Sequence, residues 1–177
     1  MQHRQATMQD FLTRIEKVLI SDEEFVRLLK YPPMGFDEAS QTMIPDPLDE
    51  NLPNLVDDSD EYWELVSDRF RKGLKRTDIE NDATVIVYMY EGRERKVYGS
   101  PLFSTKEIRL RIFIQELYES DSRISRLTTR IKQLLINEIG LAGYGKLNLS
   151  GISQYDAPLG YRCSEISFIF NILTKGM

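Results

Sequence analysis

Between residues 106 and 117 the chain alternates. Ile108, Leu110, Ile112 and Ile114 fall on one side of an extended backbone, and Arg109, Arg111, Phe113 and Gln115 on the other. Successive side chains of a strand point to opposite faces, so a period this regular excludes a helix there. It demands a sheet with one face against an apolar layer. The same period returns over Tyr161–Leu173, where Ile166, Phe168, Phe170 and Ile172 share a face. Residues 84–90 read as a third strand of a different kind. Val87 and Met89 are apolar on one side, while Tyr88 and Tyr90 are large on the other. That strand expects cover on both faces, from its own chain or from a neighbour. Glu91-Gly92 reads as a turn into a short return strand over 95–98, and 146–150 as a further strand.

Helical periods occupy the remaining ordered stretches. Met8, Phe11, Leu12, Ile15, Val18 and Leu19 recur at three- and four-residue spacing after Thr7. Ser21 restarts the pattern with Glu24 three residues on, the signature of a capping box, and Pro32-Pro33 stops it. The spacing therefore predicts helix over 8–31 with a break near Ile20-Ser21. A further helix is expected from Asp58 or Ser59 to Gly73, with Asp60 and Glu61 suited to its positive end. Asp121 or Ser122 caps a late helix whose apolar stripe is Ile124, Leu127, Ile131, Leu134, Leu135 and Ile139, closed by Gly140.

Between these elements lies the chain's most unusual stretch. Residues 36–68 hold eleven Asp or Glu and no Lys or Arg. Pro45, Pro47 and Pro53 break regular structure in its first half, and a loop so long is uncommon inside a compact domain. Met43, Ile44, Leu48, Leu52, Leu55 and Val56 are too apolar for a solvating linker, so this arm packs on its own core or on a neighbour. The expected organisation is one α+β domain over 1–177, with N-terminal helices (1–31), an acidic proline-containing arm (32–58) and a helix plus sheet core (59–177). The sheet is antiparallel or mixed, of about four to five strands, packed by one long amphipathic helix.

Function classes narrow by elimination. The sole histidine is His3, near the terminus, and the sole cysteine is Cys163, inside a strand beside Arg162 and Glu165. Neither a histidine-centred triad nor a cysteine-rich metal site fits one subunit. Cys163 reads as a structural thiol. Gly140-Leu141-Ala142-Gly143-Tyr144-Gly145 follows a helix and precedes a strand, the reverse of a dinucleotide-binding order. Asp57-Asp58-Ser59-Asp60-Glu61 begins like a calcium loop, but its sixth position is Tyr62 and its twelfth Asp68. An enzyme would need a carboxylate pair such as Asp57 with Asp60. No catalytic residue, cofactor or metal is expected. The net charge of −5 and pI near 5.1 disfavour a nucleic-acid binder, and no stretch is apolar for long enough to form a membrane helix. No signal peptide is evident, and an intracellular setting is expected.

What remains is charge. Arg123, Arg126 and Arg130 form a stripe on the late helix at i, i+3 and i+7, and Arg109, Arg111 and Phe113 share a strand face. Opposite them stands the acidic arm, with Asp46, Asp49, Glu50, Asp57, Asp58, Asp60 and Glu61. Complementary patches on one chain close internally or head-to-tail in a ring. These residues are the candidate interface.

The order of elements resembles the tail terminator and tail-completion proteins of tailed bacteriophages. The resemblance is carried by Ile108-Arg-Leu-Arg-Ile-Phe-Ile-Gln-Glu-Leu, by Arg123-Ile-Ser-Arg-Leu-Thr-Thr-Arg-Ile-Lys-Gln-Leu-Leu, and by Tyr161–Leu173. It implies a non-catalytic virion subunit, assembled in the host cytoplasm, that rings up where the tail tube meets the head connector. It implies partners in itself, as a ring that in that family is a hexamer, and in neighbouring tube and connector proteins, without sequence-specific nucleic-acid binding. The acidic arm and the helix from residue 59 do not map onto that pattern. A baseplate or connector subunit and a generic intracellular adaptor stay as alternatives.

Overall fold

The computed structural model describes residues 8–57, 59–73, 84–98, 103–138, 140–141 and 145–173. Two helices come first, α1 (Met8–Ile20) and α2 (Glu23–Lys30), then a hairpin of β1 (Gly35–Asp37) and β2 (Thr42–Ile44). Helix α3 (Asp60–Arg69) runs straight into β3 (Phe70–Lys72), followed by the long strands β4 (Val85–Lys96) and β5 (Phe103–Gln115). A 3-10 helix (Glu116–Asp121) leads into α4 (Arg123–Glu138). The small pair β6 (Gly140–Leu141) and β7 (Gly145–Lys146) precedes β8 (Asn148–Tyr155) and β9 (Tyr161–Leu173). The main sheet has five strands in the order β3-β4-β5-β9-β8, parallel between β3 and β4 and antiparallel elsewhere. The expected α+β class with a mixed sheet is what the chain forms.

The period of two does the placing. Ile108, Leu110, Ile112 and Ile114 face the helices and are fully buried, beside Val85, Val87 and Met89 of β4 and Ile166, Phe168 and Phe170 of β9. Above them lie Phe11, Ile15 and Leu19 of α1, Phe25, Leu28 and Leu29 of α2, and Leu127, Ile131 and Leu135 of α4. Phe11 stacks on Phe170 at 4.2 Å, and Phe25 meets Phe70 edge-on at 6.1 Å. Burying one such side chain contributes about 1.5–3 kcal/mol, so this layer is the main source of stability.

The local corrections have physical causes. The break after α1 is capped by Asp22, not Ser21: its Oδ1 accepts from the Phe25 N–H at 2.9 Å. Residues 91–98 do not turn back. Instead β4 continues through Gly92 to Lys96, with its register shifted between Glu91 and Glu94. Gly92 is needed for close approach, since a Cβ there would stand 2.6 Å from Glu107 Oε2. Phe70 leaves the helical pattern for β3 while keeping its ring buried. Strand β5 stops at Gln115, and Leu117, in the 3-10 helix, is exposed. The strand expected at 146–150 extends to Tyr155, and Ile139 lies outside the described residues.

The arm rests on its own chain. Arg27 donates to the carbonyls of Asp49 at 2.6 Å and Leu52 at 2.7 Å, and Glu23 accepts from the N–H groups of Leu55 and Val56. Leu48, Leu55 and Val56 pack against the core.

Candidate assembly surfaces and the buried charge cluster

The sheet face opposite the helices carries a polar cluster centred on Glu165. Its register places it directly across from Arg111 and between Cys163 and Ser167, away from the Ile166 and Phe168 side. Arg111 Nε and Nη2 reach Glu165 Oε2 at 2.8 and 2.5 Å, and Arg109 Nη1 reaches Oε1 at 3.2 Å. The Tyr90 hydroxyl donates to the same carboxylate. The Arg111 guanidinium also lies 4.6 Å from the centre of the Tyr155 ring. Glu165 is 2% exposed, so its charge is held by these partners rather than by water. Beneath it Ile86, Tyr88, Phe113 and Cys163 form a second apolar cluster. Burial, followed by the hydrogen bond to Glu165, pushes the Tyr90 phenol up to about 12. Burial acts most strongly on Arg111 and pulls it down, yet its bonds and charge contact with Glu165 leave it raised overall.

The helix stripe divides. Arg123 is wholly buried: Nη1 donates to the carbonyls of Leu28 at 2.6 Å and Tyr31 at 2.9 Å, and Nη2 meets Asp121 at 2.8 Å. Arg126 Nη2 pairs with Asp46 at 2.5 Å and Nη1 with Asp121 at 3.3 Å. Arg130 grips the capping Asp22 at 2.8 and 2.5 Å. The Arg126 bond holds the Asp46 carboxyl below its usual range. At these residues the complementary charges close within the chain.

The other acidic candidates scatter. Asp49 binds its own turn through the Asn51 N–H at 2.9 Å, and Glu50 is exposed. Asp57 accepts from the Ser59 N–H at 3.1 Å, while Asp60 and Glu61 lie exposed in the first turn of α3. Asp58 lies outside the described residues. Among the described residues no group of three or more His, Cys, Asp or Glu is placed to hold a metal ion, and no helix is long and apolar enough to cross a membrane.

Sequence reasoning found Arg109, Arg111 and Phe113 but not Glu165, the carboxylate that both arginines share. The signal was present: Glu165 has the opposite parity to Ile166 and Phe168, so it had to share the arginines' face. Reading it required the register between β5 and β9.

Residues 22–170 match the YomW family, a span from the cap of α2 almost to the end of β9. The chain belongs to the YomW family. That family is of phage type, and the chain is accordingly a phage-associated protein. The match takes in the arm and α3, the parts that the tail-terminator pattern leaves unmapped, so they lie within the YomW unit. No curated protein matches the chain.

Proposed function

We propose that this protein is a non-catalytic assembly subunit of a phage particle, forming a ring at the head–tail junction that terminates or completes the tail. Its partners are further copies of itself and the neighbouring tail-tube and head-connector proteins. The observation that carries the reading is how the chain distributes its polar and apolar groups. The buried charges Arg111, Arg123 and Glu165 are committed to internal bonds. Large apolar side chains, among them Phe36, Met43, Leu149 and Ile152, stand at the surface. Contiguous exposed apolar groups, such as the cross-strand pair Phe36 and Met43, mark surfaces that meet other proteins. Membership of a phage-type family supports the setting.

Native mass measured across a concentration series, alone and with the tail-tube and connector proteins of the same phage, tests the reading. A discrete ring is expected. A monomer that binds neither itself nor those partners overturns it.

A further inference from the structure

The main sheet ends differently at its two edges. Strand β3 is three residues long and is fed directly by the acidic α3. Strand β8 is eight residues long, Asn-Leu-Ser-Gly-Ile-Ser-Gln-Tyr, with neither charge nor proline. Natural edge strands are blunted by charge, proline or shortness, because their open N–H and C=O groups pair with any strand that arrives. Only a register shift between Leu149 and Gly151 blunts β8. Leu149 and Ile152 lie opposite Phe168 and Ile166, on the face the helices cover, yet they are 38% and 45% exposed. One flank of α4 holds Arg126 and Arg130 against Asp46 and Asp22. By helical spacing the other flank presents Lys132 and the exposed Ile136 toward β8. The apolar core is therefore open along this edge.

A second apolar surface stands elsewhere. In the β1–β2 hairpin Phe36 and Met43 are direct cross-strand partners, 55% and 69% exposed. The hairpin turn is well tied, with Asp37 accepting from the Ala39 N–H at 3.0 Å and the Ser40 hydroxyl at 2.5 Å. Both feet of the hairpin are pinned to the α2-facing flank of α4, through Arg123 to the Tyr31 carbonyl and Arg126 to Asp46. A two-stranded hairpin is marginal alone in water, and the apolar pair Phe36 and Met43 is left largely uncovered by its own chain.

We propose that the hairpin of one copy lies along β8 of a second copy, adding strands to its sheet and bringing Phe36 and Met43 onto Leu149, Ile152 and Ile136. Backbone pairing at the edge supplies the attachment and the apolar pairs supply the register. Charge favours this occupant. The hairpin carries Asp37 and Glu38 and no basic residue, while Arg162, exposed beside the end of β8, and Lys132 on α4 make no ion pair among the described residues. Asp156 and Glu119 line the same surface pocket as Arg162 and oppose it at that end of the strand. Donor and acceptor are different patches of one chain, so the contact is head-to-tail, and a head-to-tail contact closes into a ring when its rotation allows. The inference rests on the self-assembly reading above and names the surface that performs it.

The test is a double variant, Met43→Cys with Ile152→Cys, in the full chain under mild oxidation; the native Cys163 is buried. A ladder of linked multimers is expected, and Ile152→Cys alone should give no linked species. Linked dimers from Ile152→Cys alone would mean like-to-like edge pairing and overturn the proposal. A ring by native mass without links in the double variant would overturn the contact and leave the function standing. A monomer without links, alone and with the tail proteins, would remove both. As an independent check, Phe36→Ser with Met43→Ser should keep the melting temperature and weaken association at least about tenfold, as for central apolar contacts. Unchanged association would overturn the proposal.

Discussion

Arg111 holds Glu165 through two nitrogens at 2.8 and 2.5 Å, directly across the β5–β9 pair. A buried pair of this kind contributes little net stability compared with apolar residues of the same shape, because both ions lost their hydration. Breaking it is another matter, since the survivor is left charged and dry.

Glu165→Ala should therefore cost about 3–5 kcal/mol in denaturant unfolding. It strands Arg111, removes the acceptor of Tyr90 and leaves Arg109 with Glu107 alone. Replacing both partners, Arg111→Met with Glu165→Leu, should recover most of that loss. If the double replacement is as unstable as the single, the cost comes from shape and not from the uncompensated charge.

Arg123 bridges the start of α4 to the end of α2. Its guanidinium donates to two backbone carbonyls that the terminating helix α2 leaves without helical donors. Arg123→Ala should cost on the order of 3 kcal/mol, since hydrogen bonds to charged groups contribute about 1.5–3 kcal/mol. Arg123→Lys should rescue less than half, because a single ammonium cannot span Leu28, Tyr31 and Asp121 together. Full rescue by lysine, read in the same unfolding curves, would show that charge alone is required.

The strands were legible because burial on one face writes itself as a period of two. Ile108 to Ile114 and Ile166 to Phe170 are buried as their spacing implies. The helices were legible for the same reason at their own period. Boundaries set by a single contact were not. Gly92 reads as a turn until Glu107 is seen beside it, and Phe70 reads as helical until β4 offers it a partner. The charged stripe showed the deepest gap. Spacing put Arg123, Arg126 and Arg130 on one flank, but it could not say that Asp22, Asp46 and Asp121 come to meet them. Asp22 and Asp46 are brought in by the path of the chain between elements, which no local pattern encodes, whereas Asp121 lies only two residues before Arg123.

The Arg126–Asp46 pair closes the arm onto α4, and exchanging its charges isolates that role. Arg126→Asp alone should expose residues 45–56 to limited proteolysis at lower protease concentration. Adding Asp46→Arg should restore much of the protection, although Asp121 then faces a reversed neighbour. The effect is modest, about 1 kcal/mol or less for a pair this exposed. Equal protection in all three proteins would place the arm's attachment in Arg27 and Glu23 alone.

Tyr90 makes the buried cluster sensitive to alkali. Its phenol donates to Glu165, so ionising it would set two negative charges against each other in a partly dry site. Folding favours the protonated phenol and raises it from an ordinary value near 10 to about 12. The stabilisation is complete below pH of about 10, the unfolded value, and is lost as pH rises toward the folded one. Phenolate absorbance should show one tyrosine titrating late, and unfolding stability should fall over the same interval. Tyr90→Phe should remove the late titration and flatten that fall, while lowering stability near neutral pH by about 1–3 kcal/mol because a charged acceptor loses a donor. If the pH dependence of Tyr90→Phe matches the parent between pH of about 10 and 12, the phenol is not coupled to Glu165 and the cluster is held by its arginines alone.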